Sequence, residues 1–119
     1  MLLFKPSRLS SAARSALIVA ASTTIHVSAI SLVELAYLID KGRFPESSLD
    51  ILIQLVENPA SGIVFAPISP EIAKTVRLIS RRSVPDMPDR IISATAVHFK
   101  LPLVTADSQI HSSGIAVIW

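Results

Sequence analysis

Short runs that are apolar, or nearly so, from end to end constrain this chain most: Gly62-Ile63-Val64-Phe65-Ala66, Leu101 to Ala106, and Ile115 to Ile118. A strand without polar alternation has no face to give to water, so each run predicts a strand buried on both sides. Thr24-Ile25-His26-Val27, β-branched and bounded by hydroxyl residues, predicts another. Between these runs lie segments of helical spacing. Strands alternating with helices predict an α/β fold: a mostly parallel central sheet with helices on both faces, in three layers. In such sheets the functional cleft lies beyond the carboxyl ends of the strands.

The helices announce themselves by their ends. Ser10 or Ser11 can cap a helix running to about Ala21. Ser28 caps a second from Ala29 to Lys41, closed by Gly42 in the left-handed position that follows a helix. Around that second helix the apolar residues cover most of the circumference, and Glu34, Tyr37 and Lys41 share one narrow polar stripe. Pro45-Glu46-Ser47-Ser48 opens a third helix, which ends near Asn58-Pro59. Ser69-Pro70-Glu71 supplies a capping hydroxyl, a first-turn proline and an acid facing the helix dipole, predicting a fourth to about Arg82. Arg77, Arg81 and Arg82 suit its carboxyl end, and suit a nucleic-acid backbone equally well. A last helix, from Pro88 to about Lys100, is expected to face Ile91, Ile92, Thr95 and Phe99 inward, with Asp89, Ser93 and Lys100 on the other side.

A chain of 119 residues predicts one domain with a single core, and half its residues are hydrophobic, which excludes a disordered tail. It has no cysteine, which rules out thiolate metal sites and fits a reducing compartment. A net charge of +2 does not by itself announce a nucleic-acid binder. No apolar run reaches the roughly 18 residues of a spanning helix, so a soluble, cytoplasmic protein is expected. Residues 1–33 carry Lys5, Arg8, Arg14 and serines but no acid, a transit-like composition; the apolar run 16–21 is nevertheless too short for a secretory core and reads as part of a domain helix. With three glycines there is neither a GxGxxG nor a phosphate-binding loop.

Three of the nine acidic residues fall at Asp86, Asp89 and Asp107, at the ends of elements. Asp107 stands one residue past its strand, at the expected cleft. Asp89 opens the helix that feeds this strand, which reads as the opposite end of the unit. Topology read this way does not bring the two together. His26, His98 and His111 lack metal-site spacing.

Pro88-Asp89-Arg90-Ile91-Ile92-Ser93-Ala94-Thr95-Ala96, followed by Leu101-Pro102-Leu103-Val104-Thr105-Ala106-Asp107, strongly resembles the PIN-domain family, and most of all the VapC-like toxins of toxin–antitoxin pairs. Val27 to Leu35 resembles the second acidic motif of that family, and Ile115 to Trp119 its last strand. The resemblance covers roughly residues 9 to 119 in consistent order. It implies a metal-dependent endoribonuclease in which Glu34, Asp89 and Asp107 hold Mg²⁺ or Mn²⁺. Asp86 is a further candidate ligand, and Thr105 a supporting polar group. Arg77, Arg81, Arg82 and Arg90 are candidate RNA contacts. It also implies a homodimer and a cognate antitoxin protein. The family normally opens with a strand ending in Asp. Here Met1 to Pro6 leads almost at once into a helix, so that first strand and its ligand are expected to be missing and activity to be weak. The alternative is a catalytically degenerate PIN domain that binds RNA or an antitoxin without cutting. A weaker one is phosphoryl transfer on Asp107 with Asp86, similar to a receiver domain.

Overall fold

The computed structural model describes residues 10–12, 14–15, 24–105, 110 and 113–118. In chain order these form β1 (Ile25–Ser28), α1 (Ala29–Asp40), α2 (Ser47–Glu57), a 3₁₀ turn (Pro59–Ser61), β2 (Ile63–Ala66), α3 (Pro70–Val76), α4 (Met87–Phe99), β3 (Leu103–Val104) and β4 (Val117–Ile118). The helix expected over residues 10–21 lies mostly outside the described residues. Among the described residues, no helix is long and apolar enough to cross a membrane.

Among the described residues all strand pairing is parallel, as the apolar runs lead one to expect. β1 pairs with β2 in the register Ile25↔Ile63 to Ser28↔Ala66. β3 pairs with β4 through Leu103↔Val117 and Val104↔Ile118. The described strands form two separate pairs, where one sheet was expected. The last two strands are also shorter than their apolar runs, although the Thr105 amide still donates to the Ile118 carbonyl at 3.3 Å.

Strand passes into helix without a loop at Ser28. It is the last residue of β1, is fully buried, and its side-chain oxygen accepts the Ile30 amide at 3.3 Å as the cap of α1. At the other end of α1 the Gly42 amide donates to the Ile39 carbonyl and the Arg43 amide to the Leu38 carbonyl, both at 2.9 Å. This is the paired closing motif that needs a left-handed residue, and Gly42 supplies it at φ 73°. A Cβ at Gly42 would meet nothing within 4 Å, so only the backbone conformation is at stake. Gly42→Ala is expected to lower unfolding free energy by about 1 kcal/mol, read as a shifted urea midpoint with unchanged slope.

α3 opens as its sequence requires, with Ser69 Oγ accepting the Ile72 amide at 3.2 Å and Pro70 in the first turn. It ends at Val76, however, not at Arg82. The amides of Arg77, Leu78 and Ile79 reach back only three residues, to Lys74, Thr75 and Val76, so the last turn tightens and the chain leaves the helix. Arg90 makes that exit possible: its Nη2 donates to the Val76 carbonyl at 2.9 Å and to the Ile79 carbonyl at 3.1 Å.

α4 is the central helix. Arg90 and the run from Ile92 to Ala96 are all buried. With Ile72, Ile79, Val84, Leu103, Ile110 and Ala66, its Ile92, Ala94 and Ala96 make up the main core. Two expectations for this helix are corrected. Ser93, placed on the outer side by periodicity, is fully buried, whereas Phe99, placed inside, is 41% exposed and lies 5.4 Å from the His26 ring. A helix packed on several sides has no single inward stripe, and its small residues allow that close approach.

Candidate active site

The site is built where α1 and α4 pack against each other. Glu34 lies in the second turn of α1. Asp86 is the N-cap residue of α4 and Asp89 stands in its first turn. The Asp86 carboxylate makes no capping hydrogen bond, so it is not spent on the helix end. Glu34 is half-buried, and its Oε1 is buried with no hydrogen-bond partner. Burial raises its pKa above the ordinary carboxylate value, and the negative charges of Asp89 and then Asp86 raise it further. Three carboxylates therefore share one field.

Two hydroxyl groups belong to the same faces. Ser31 precedes Glu34 by three residues and Ser93 follows Asp89 by four, spacings that put each serine one turn from its acid. Both Oγ atoms are buried without a partner. The sequence reading missed them. The available signal was this helical spacing from the two acids; the sequence reading had put Ser93 on the side of Asp89 but took that side to face outward. The rest of the polar stripe on α1 does not join the site: Tyr37 is exposed, with the Lys41 ammonium 5.1 Å from its ring centre.

Thr105 is buried at the end of β3. Asp107 lies outside the described residues. The expectation that α4 begins at the far end from this strand is corrected by the short link between them. Lys100 turns the chain at φ 55°, and β3 begins three residues later. A helix and strand joined so closely and sharing a core run antiparallel, so the start of α4 and the end of β3 lie at the same end.

A buried Glu34 oxygen without a donor, in the field of two further carboxylates, suits a hard divalent cation, which prefers oxygen ligands. Among the described residues, no three His, Asp or Glu side chains come together closely enough to hold a metal ion. Glu34, Asp89 and Asp86 are brought into one electrostatic neighbourhood. The sign of the Glu34 shift gives a test. Between its unfolded and its raised folded pKa the native state binds more protons, so metal-free stability falls as pH rises through that window. Glu34→Gln is expected to flatten that dependence and to raise metal-free stability at pH 7. Mn²⁺ at a hundredfold its Kd should stabilise the parent chain by about 2.7 kcal/mol and the variant far less, read by thermal unfolding with and without EDTA.

A second feature flanks α4 on another side. Arg77, Ile79, Ser80, Arg81 and Arg90 line an open cleft of about 450 Å³. Arg82 is exposed and does not line it. Arg90 is 8% exposed and its Nε has no hydrogen-bond partner. Burial holds the His26 imidazole below its usual pKa, and its ring lies beside Phe99.

Compared with known proteins, the sequence matches the family described as PIN domain over residues 2–114. No curated protein and no solved structure matches it.

Proposed function

From the premise that this chain belongs to the PIN-domain family, whose members are generally nucleases, we propose that it is a metal-dependent endoribonuclease of the VapC-like toxin type. The observation that carries the reading is the buried, partnerless Glu34 oxygen set against Asp89 and Asp86. An uncompensated group of this kind is costly in a purely structural seam and useful where a cation arrives.

Glu34, Asp89 and Asp107 would hold Mg²⁺ or Mn²⁺, with Asp86 beside them and Thr105 supporting the strand end. Bound there, the ion supplies an activated water and neutralises charge developing on the phosphodiester. The protein's own share is to keep these carboxylates ionised and fixed. α1 and α4 are rigid supports for that purpose, and the Ser31 and Ser93 hydroxyls can donate to carboxylate oxygens or to ordered water. Asp86 and Asp89, at the start of α4, are stabilised as anions by the helix dipole.

A protein partner is part of the same proposal. Val33 (62% exposed) and Tyr37 (58%) on α1, with Ile51 (54%) and Leu55 on α2, leave apolar side chains in water on two helices that pack together. Such a surface favours a cognate antitoxin, with a second copy of the chain as the other occupant. The deciding experiment for the activity is cleavage of single-stranded RNA with Mg²⁺ or Mn²⁺ by the parent chain and by Asp89→Asn and Asp107→Asn. Cleavage lost in both variants supports the site. Cleavage that neither substitution changes removes it, and tight antitoxin or RNA binding without cleavage would mark the degenerate binding module.

A further inference from the structure

The cleft beside α4 has three arginines in its lining, and neither Glu34 nor Asp89 lines it. Arg77 and Arg81 stand on the exposed turn that follows α3, with Ser80 between them in the wall. Neither guanidinium has a carboxylate partner among the described residues. The floor is different in kind. Arg90 is more than nine-tenths buried, fixed by the Val76 and Ile79 carbonyls through Nη2, while its Nε has no partner. What this buried, immobilised guanidinium gives the cleft is a fixed positive charge in its lining. Residues 74–82 contain Lys74, Arg77, Arg81 and Arg82 and no acid, so nothing on the same segment offsets the charge.

The helix connects this cleft to the carboxylates. Arg90 follows Asp89 directly, and successive side chains on a helix point about 100° apart. One turn of α4 therefore presents an acidic site on one side and a cationic cleft on the next. A ligand engaging both must carry an anionic group for the arginines and a second, cation-bridged anionic group for the carboxylates. A phosphodiester chain has this repeat; a single acidic side chain does not. We propose that the cleft lined by Arg77, Ser80, Arg81 and Arg90 seats a backbone phosphate of single-stranded RNA, next to the phosphate presented to Glu34 and Asp89. This assignment rests on the nuclease reading for the identity of the polymer. The cleft's own geometry supplies the anion preference.

The test is fluorescence anisotropy with a fluorescein-labelled single-stranded RNA 12-mer in EDTA, where no cleavage occurs. Arg77→Ala/Arg81→Ala is expected to weaken binding about tenfold or more and to reduce the slope of log K against log salt by about 0.7 for the lost phosphate. Arg82→Ala removes a neighbouring exposed charge that does not line the cleft, and should change affinity by less than about threefold. Equal losses in Arg82→Ala and in the single cleft variants would show a diffuse charge effect and overturn the seat. So would an unchanged double variant, or displacement of RNA by an acidic peptide at equal charge concentration. Unfolding midpoints identical to the parent chain confirm that these exposed substitutions leave the fold intact. Asp89→Asn separates the two readings: RNA binding that depends on Arg77 and Arg81 but no cleavage by any form keeps the seat and removes the nuclease. Metal-dependent cleavage by a chain whose RNA binding ignores both arginines does the reverse.

Discussion

Asp89→Asn is expected to reduce metal-dependent RNA cleavage by at least about 100-fold while leaving the fold in place. The substitution changes charge and almost nothing else. Asn keeps the size of Asp and can still occupy the first turn of α4, but it gives a cation only a neutral oxygen. Its effect on stability has two opposing parts. An acid in the first turn of a helix contributes about 0.3–1 kcal/mol through the dipole, which Asn forfeits. The same charge also raises the Glu34 pKa, so its removal relieves a half-buried carboxylate. Metal-free stability should therefore stay within about 1 kcal/mol of the parent chain, with Glu34 titrating closer to its ordinary value. A merely structural Asp89 predicts another pattern: unchanged turnover per folded molecule and a shifted unfolding curve. Parallel measurement of initial cleavage rate and urea unfolding distinguishes them. Retained cleavage would sink the assignment.

Arg90→Met should cost about 2 kcal/mol of unfolding free energy, a large effect for one polar side chain. The residue is buried, and its Nη2 closes the open end of α3 by donating to two backbone carbonyls, Val76 and Ile79. Methionine can follow the path of the aliphatic stem, so little packing is lost. The Ile79 carbonyl loses a charged donor, at roughly 1–3 kcal/mol for a group left unpaired in a buried setting, while the Val76 carbonyl keeps the Ile79 amide. Arg90→Lys keeps the charge, but its compact ammonium replaces a planar fork and should recover less than half of the loss. Denaturant unfolding with both variants checks this. Equal stability of all three chains would mean the carbonyls find water instead and that Arg90 is free of a structural duty.

How much of this could be read in advance depended on the range of the forces involved. Gly42, Ser28 and Ser69-Pro70-Glu71 were legible because caps are settled by a few neighbouring residues, and each element begins or ends where its cap requires. The end of α3 was not legible. Nothing within residues 70–82 says that the helix stops at Val76; a guanidinium fourteen residues further along takes the Val76 carbonyl. Ser93 and Phe99 were misplaced for a related reason. Helical projection assumes one buried stripe, and α4 is enclosed on more than one side. Glu34 shows the other limit. From its own helix it reads as one member of a solvated stripe, and only the packing of α1 on α4 makes it a neighbour of Asp89. The resemblance had named the two residues together, and the structure puts Glu34 within the field of Asp89. Asp107 was named by the same resemblance and lies outside the described residues.

The direct passage of β1 into α1 at Ser28 has a mechanical meaning. With no loop to absorb a change in length, the rotational phase of α1 is inherited from the pairing of Ser28 with Ala66. Glu34 keeps its bearing toward Asp89 only while that phase holds. One residue inserted between Ser28 and Ala29 would swing the carboxylate about 100° around the helix axis and advance it about 1.5 Å. A change in length at the exposed 41–46 turn would leave this bearing untouched. The site is thus indexed to the strand register, and the chain is least tolerant of insertion at a point that touches none of the reacting groups.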